Sequence, residues 1–203
     1  MRLIGMLDSP YVRRVAISMK LMGIEFANEQ ISLFRNFDEF RAINPVVKAP
    51  TLVTDDGTVL MDSGLILEHL ERVAGPERSL MPAGAREHVE ALRVIGLQLA
   101  AYEKAVQIIY EHNLRPPEKW HQPWLDRVQG QLLAAYEELE KAMARQPGWF
   151  GGGRLMQTDV TVAVGWRFMQ HAVPEIITAA SFPNLAAHSV RAECLPAFVE
   201  TGF

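Results

Sequence analysis

The chain has 203 residues, with 20 Lys and Arg against 24 Asp and Glu, a formal net charge of −4, and 49% hydrophobic against 22% charged residues. That length makes one large domain or two small ones, burying roughly 70% of the unfolded surface without staples, and the composition excludes intrinsic disorder. The acidic balance argues against a nucleic-acid partner, which needs a basic surface, but leaves room for a local basic pocket that takes a small anion.

The first third mixes strand and helix patterns. Arg2–Leu7 is an apolar run of strand length. Ser9-Pro10 starts a helix, serine suiting the N-cap and proline the first helical position. Val12, Val15, Ala16, Met19 and Met22 follow at helical spacing up to a stop at Gly23. Phe26–Leu33 reads as a strand and Phe34–Ile43 as a short helix. Residues 51–61 read as strand, turn and strand around Asp55-Asp56-Gly57. Asp62-Ser63 opens a helix with Ile66, Leu70, Val73 and Ala74 on its buried stripe, ended by Gly75-Pro76. The order is β-α-β-α-β-β-α over residues 1–76.

Residues 77–86 read as a linker, and the period is helical from there on. Leu92, Ile95, Leu99, Tyr102, Val106 and Ile109 mark one long helix, broken at Arg115-Pro116-Pro117. Trp124, Val128, Leu132, Ala135, Leu139 and Met143 mark a second. Gly151-Gly152-Gly153 reads as a loop before a third helix, Asp159 to about His171, and Pro183 and Pro196 punctuate two short terminal helices. An α/β unit followed by an all-α unit at 87–203 implies two domains. The single cysteine, Cys194, excludes an internal disulfide, a thiolate metal site and a CxxC pair, and reads as a small packed residue. The six histidines show no ligand spacing, so no metal is expected. The opening apolar run is short for a signal peptide, and no window reaches the ~18 uninterrupted apolar residues of a membrane span. A cytoplasmic protein without a membrane partner is expected.

Three places carry candidate chemistry, each beside a plainer reading. Ser9 sits between the first strand and first helix, where the dipole and unpaired N–H groups favour holding a bound thiol as its thiolate; otherwise it is an ordinary N-cap. Lys48-Ala49-Pro50 stands at the entrance of the third strand. A cis bond there lets Ala49 offer its main chain to an extended peptide ligand; otherwise Pro50 is an edge-strand proline. At Asp62-Ser63 the hydroxyl and helix-start amides make a carboxylate nest, or a cap alone. His112 beside Glu111 could serve as a base, or is a solvated helix end.

Taken in order, these segments resemble the cytosolic glutathione S-transferase family over nearly the whole length, and within it a serine-type bacterial member. Ser9-Pro10-Tyr11-Val12-Arg13-Arg14-Val15 is similar to the family's S-P-[FY]-x-[RK]-[RK]-V segment, Asn44 through Pro50 to its N-P-x-x-K-[VI]-P stretch, and Asp62-Ser63 to its [ED]-S motif. Tyr110-Glu111 through Arg115-Pro116 to Trp124, and Phe182-Pro183-Asn184-Leu185, resemble a bacterial subgroup. The resemblance implies a thioredoxin-like domain followed by a helical domain, with glutathione as co-substrate. Ser9 would donate to its sulfur, Ala49 would pair its backbone with the cysteinyl part, Pro50 would shape that turn, Lys48 would meet the glycyl carboxylate, and Asp62 and Ser63 would hold the γ-glutamyl end. It also implies a detoxifying transferase acting on a small electrophile. Leu7, Tyr102 and Tyr110 would line the acceptor pocket, the two tyrosines because that long helix faces the sulfur in the family; the plainer reading of Tyr102, Tyr110 and Trp166 is core. A two-fold homodimer is implied as well, the N-terminal domain of one subunit against the helical domain of the other.

One departure stands out. The family opens its sixth helix with S/T-x-x-D, whereas here Met156-Gln157-Thr158-Asp159 lacks the hydroxyl, leaving half a reciprocal cap missing at a cost of ~1 kcal/mol unless Thr158 substitutes. Two other functions fit the same scaffold: a glutathione-dependent disulfide or peroxide reductase, and a non-catalytic binding or assembly module. Loss of Ser9 or Ser63 would mark the module, and both are present.

Overall fold

The computed structural model describes residues 1–203 and divides into two units, Met1–Met81 with Cys194–Phe203, and Pro82–Glu193. The first unit runs β1 (Arg2–Ile4), α1 (Pro10–Leu21), β2 (Ala27–Glu29), α2 (Phe37–Ile43), β3 (Thr51–Val53), β4 (Val59–Met61) and α3 (Ser63–Ala74). The sheet order is β2-β1-β3-β4; β1 is parallel to β2 and antiparallel to β3, and β3 is antiparallel to β4. A parallel pair needs a crossover rather than a hairpin, and α1 supplies it. Leu3 and Leu52 from the sheet, Val12, Val15 and Met19 from α1, and Ile66 and Leu70 from α3 are fully buried in one core. This is the expected thioredoxin-like arrangement.

The strands are shorter than the apolar runs that predict them. β1 stops at Ile4 because Gly5, at a φ of 137°, leaves the extended conformation. β2 stops at Glu29, whose carbonyl accepts from Ile31 N–H at 2.9 Å, turning the chain back. The helix expected from Phe34 begins at Phe37, because Ser32 Oγ accepts from the N–H groups of Phe34 and Arg35 and keeps that stretch a turn. Gly23, at a φ of 65°, closes α1: its N–H donates to Lys20 O at 3.1 Å and Ile24 N–H to Met19 O at 2.9 Å, the paired bonds of a Schellman end.

The second unit holds α4 (Ala85–Leu114), a 3-10 turn at Pro117–Lys119, α5 (Gln122–Arg145), α6 (Gln157–Ala172) and α7 (Pro183–Glu193). α4 packs on α5 and α6, and α7 on α5 and α6. The buried stripe of α4 runs through Ala91, Val94, Ile95, Gln98, Ala101, Tyr102, Ala105 and Ile108, at the i, i+3, i+4, i+7 spacing of one helix face. Leu92, expected on that stripe, is exposed.

Two expectations for the chain's end are corrected. Residues 194–203, including α8 (Pro196–Val199), join the first unit rather than the helical one. The reason is α1: Arg13 Nε donates to Thr201 O at 3.0 Å and its Nη2 to Phe198 O at 3.1 Å, while Lys20 pairs with Glu200 at 2.6 Å. Cys194 is exposed, not packed.

The start of α6 is also better closed than its sequence predicts. The Asp159 carboxylate accepts from Met156 N–H at 2.8 Å, and the Met156 side chain takes the seat facing the N3 main chain, so a capping box forms with a thioether, a weak acceptor, in place of a hydroxyl. Thr158 does not substitute, its buried Oγ1 having no partner. Asp159 also accepts from Phe150 N–H at 3.2 Å. His188 Nε2 lies 3.5 Å from Asp159 Oδ1. Burial pushes the Asp159 carboxyl up to about 7 and the His188 imidazole down to about 4. The pair is therefore a contact between neutral groups over that range, not an ion pair. No helix of the chain is long and apolar enough to cross a membrane.

Candidate functional site

Ser9 occupies the N-cap position of α1, with Pro10 as the first helical residue. Its backbone is extended (φ −73°, ψ 123°), and its carbonyl accepts from Arg13 N–H at 2.9 Å and Val12 N–H at 3.1 Å. Its side chain makes no capping hydrogen bond. The plainer reading gave this serine the job of satisfying an orphan helix amide. That bond is missing, so a half-buried hydroxyl stands at the positive end of a 12-residue helix.

Two contacts bring the other candidate segments to α1. At Gly5 a Cβ would meet Val12 Cγ2 at 2.7 Å and Ala49 Cβ at 3.1 Å. Only glycine lets the end of β1, the first turn of α1 and the Ala49 loop approach so closely. On the other side, Arg14 Nη1 donates to Ser63 Oγ at 3.1 Å, with both residues buried, tying α1 to the start of α3.

The Ala49–Pro50 peptide bond is cis. Pro50 leads into β3, which lies between β1 and β4, so the edge-strand reading of this proline does not hold. The loop before it is fixed by a residue to which the sequence reading gave no role: buried Asn44 donates from Nδ2 to Thr51 Oγ1 at 2.8 Å and accepts from Val46 N–H at 3.0 Å. Thr51 Oγ1 in turn donates to Lys48 O at 2.7 Å. The Lys48 side chain is exposed.

The α3 start differs from the expected nest. Asp62 adopts a φ of 73°, a sparsely populated conformation for a residue with a side chain, and its Oδ1 accepts from Gly64 N–H at 2.8 Å and Leu65 N–H at 3.3 Å. The two amides the sequence offered to a bound carboxylate are thus taken by Asp62 itself. Ser63 presents its hydroxyl against Arg14, an arginine that lies inside the quoted Ser9–Val15 segment but was not singled out from it.

Of the pocket residues, Leu7 is buried in the core of the first unit. Tyr102 is fully buried in the second unit, where its hydroxyl donates to Thr161 O at 2.6 Å and its ring stands edge-on to Phe168. Both are core side chains. Tyr110 is 42% exposed, and partial burial raises its phenol pKa. Glu111 is buried rather than solvated. It accepts from His121 N–H at 3.1 Å and from Arg115 at 3.2 Å, holding the turn after α4, while His112 lies against Trp120 with ring centroids 4.5 Å apart.

The chain matches the glutathione S-transferase N-terminal domain over residues 3–78 and the glutathione S-transferase C-terminal domain over residues 122–191. It is 30% identical over 166 residues to the uncharacterized GST-like protein YibF of Escherichia coli K12, covering 80% of this chain and 76% of that one. It is 29% identical to the maleylacetoacetate isomerase of Pseudomonas aeruginosa, covering 72% and 71% of the two chains. Among solved structures, the glutathione S-transferase of Methylobacterium radiotolerans in complex with glutathione sulfonate superposes with a TM-score of 0.88 at 27% identity, over 98% of this chain and 93% of that one. Sequence and fold agree from the first strand to the last helices, and the chain belongs to the glutathione S-transferase family.

Proposed function

We propose that the first unit binds glutathione and that Ser9 donates a hydrogen bond to its sulfur, holding it as the thiolate. The observation that carries this reading is a serine at a helix N-cap whose hydroxyl does not cap. A free thiol has a pKa near ~8.5, so only a few per cent is nucleophilic at neutral pH; lowering that by ~2 units takes ~2.7 kcal/mol of selective thiolate stabilisation. A hydroxyl donor and a helix N-terminus together supply that order of energy. The glutathione sulfonate seated in the Methylobacterium relative supports the ligand.

In this reading the main chain of Ala49 pairs with the cysteinyl part, Lys48 meets the glycyl carboxylate, and Asp62 and Ser63 hold the γ-glutamyl end. The thiol proton passes to water, and the sulfur lone pair forms a bond to an electrophilic carbon. The displaced group leaves with its own electron pair, giving an alkyl or aryl thioether. The likeness to a maleylacetoacetate isomerase favours a second outcome at the same sulfur, addition to an unsaturated acid followed by expulsion after rotation. We also propose a homodimer, supported by the apolar Val59, Met61 and Leu65 left exposed at β4 and the start of α3.

Retention on immobilised glutathione, followed by conjugation, isomerisation and disulfide-reduction assays on the same preparation, tests the reading. Retention with conjugation is expected. Absence of both retention and calorimetric binding would overturn it, and binding with none of the three activities would leave a binding module.

A further inference from the structure

The sequence carries two arginines in a row on α1, and both are buried. Arg14 reaches Ser63. Arg13 faces the other way, into the C-terminal segment. Its guanidinium donates to the carbonyls of Phe198 and Thr201 and lies 5.8 Å from the Phe198 ring centroid and 5.4 Å from that of Phe203. A buried cation is costly unless its donors are met, and the segment 194–203 is folded so that the carbonyls of Phe198 and Thr201 and two ring faces meet them. The main chain of the same arginine donates to Ser9 O at 2.9 Å. One residue thus grips the tail with its side chain and the Ser9 carbonyl with its backbone.

We propose that Arg13 is a positioning residue for Ser9, and that the C-terminal segment, by locking Arg13, is a working part of the thiolate site. The inference rests on the reading of Ser9 given above. The Arg13 side chain ties the first turn of α1 to the tail, and its charge is carried by a residue one helical turn along the chain from Ser9. The other charged groups on α1 and the segments beside it are Asp8 before the helix, Arg14 held at Ser63, Lys20 in the last turn paired with Glu200 of the tail, Lys48 of the Ala49 loop, and Asp62 at the start of α3. At a separation on the order of 10 Å and an effective dielectric of about 20, one charge moves a thiol pKa by about one unit.

The experiment titrates the thiolate absorbance of bound glutathione against pH in the wild-type chain, Arg13→Met and Arg13→Lys, with affinity for S-methylglutathione measured alongside. The expected result is a rise of about one unit in Arg13→Met, most of it recovered in Arg13→Lys, with S-methylglutathione affinity within about twofold throughout. A structural role alone would lower thermal stability in both variants and leave the titration in place, which would overturn the proposal. Should Arg13→Met not fold, Phe203→Ala, which removes one ring face at a partly exposed position, carries the test: a smaller rise in the same direction supports the proposal and an unmoved titration overturns it. A wild-type chain that binds glutathione without forming thiolate refutes the Ser9 reading and this inference together, whereas wild-type thiolate with an unmoved Arg13→Met titration refutes this inference alone.

Discussion

Replacing Ser9 by alanine removes one hydroxyl and, because that hydroxyl makes no capping bond, removes little from the fold. A hydrogen bond to a charged group is worth about 1.5–3 kcal/mol, which is about 1.1–2.2 pKa units. If the bound thiol of the wild-type protein titrates ~2 units below ~8.5, about three quarters of it is thiolate at pH 7; in Ser9→Ala the thiolate falls to between about 20% and about 2%. Conjugation at pH 7 should therefore drop about four- to forty-fold. The deficit should close as pH rises past about 9, where both proteins hold thiolate. Stopped-flow thiolate absorbance and kcat/KM across pH read the two effects separately. Loss of a working N-cap costs ~1 kcal/mol, or about 2–4 °C in Tm for a chain of this size, and a smaller change is expected here. A Tm loss of that full size with an unmoved thiol titration would refute the reasoning and return Ser9 to the cap.

Three further outcomes are expected. Ser63→Ala should weaken glutathione binding more than it slows turnover, because the proposed site gives Ser63 the end of the tripeptide remote from sulfur; calorimetry showing equal affinity would remove it from the site. Leu65→Glu, at a side chain 63% exposed on α3, should convert a dimer to a monomer by light scattering without lowering the helix content, and an unchanged mass would refute that surface. Asp159 and His188 should drive stability in opposite directions with pH. The raised Asp159 pKa makes its stabilising contribution full below about 4 and lost as pH rises through about 7, while the lowered His188 pKa makes its contribution full above about 6.5 and lost as pH falls through about 4. Between about 4 and 6.5 the two slopes cancel. Asp159→Asn should leave the His188 slope alone, a gain of about 1.4 kcal/mol per pH unit in urea unfolding, and a flat profile would refute the assignment.

How far the sequence could be read depended on what kind of signal each feature leaves. The helices of the second unit are visible because one face repeats at 3.6 residues, as Val128, Leu132, Ala135, Leu139 and Met143 do, although Trp124, read on the same stripe, is 41% exposed. Strand ends were overestimated because an apolar run does not say where the backbone turns away; Gly5 and the Ile31 turn decide that by φ and by a single main-chain bond. Pro196 was seen to start a helix, but nothing in a linear pattern says that its partner is Arg13, more than 180 residues earlier. Ser9, Ala49, Pro50, Asp62 and Ser63 stand out as site candidates only as an ordered set. The supports around them do not, since Asn44 and Arg14 act through contacts with Thr51 and Ser63 that only the fold creates. Tyr102 fits the helical repeat whether its hydroxyl meets a ligand or, as here, the Thr161 carbonyl, so the repeat does not separate a core tyrosine from a pocket one.

The two helix starts of the first unit are treated differently, and the difference bears on what they can hold. At α3, Asp62 spends one carboxylate oxygen on the Gly64 and Leu65 amides, so the helix end is already neutralised and a bare anion arriving there meets a second negative charge. A group carrying an amine beside its carboxylate meets complementary partners: the amine can pair with Asp62, and the carboxylate can approach Ser63, whose hydroxyl lies against the Arg14 guanidinium. The γ-glutamyl end of glutathione has that pairing of charges. At α1 the opposite choice is made. No side chain caps the helix, Pro10 removes one N–H that would otherwise need an acceptor, and the Ser9 hydroxyl at the N-cap makes no capping bond. A helix end left in that state favours a single negative charge, and a thiolate delivered by a ligand anchored at α3 provides it. If the proposed reading holds, selectivity for this tripeptide arises from the contrast between one helix start that satisfies itself and one that does not.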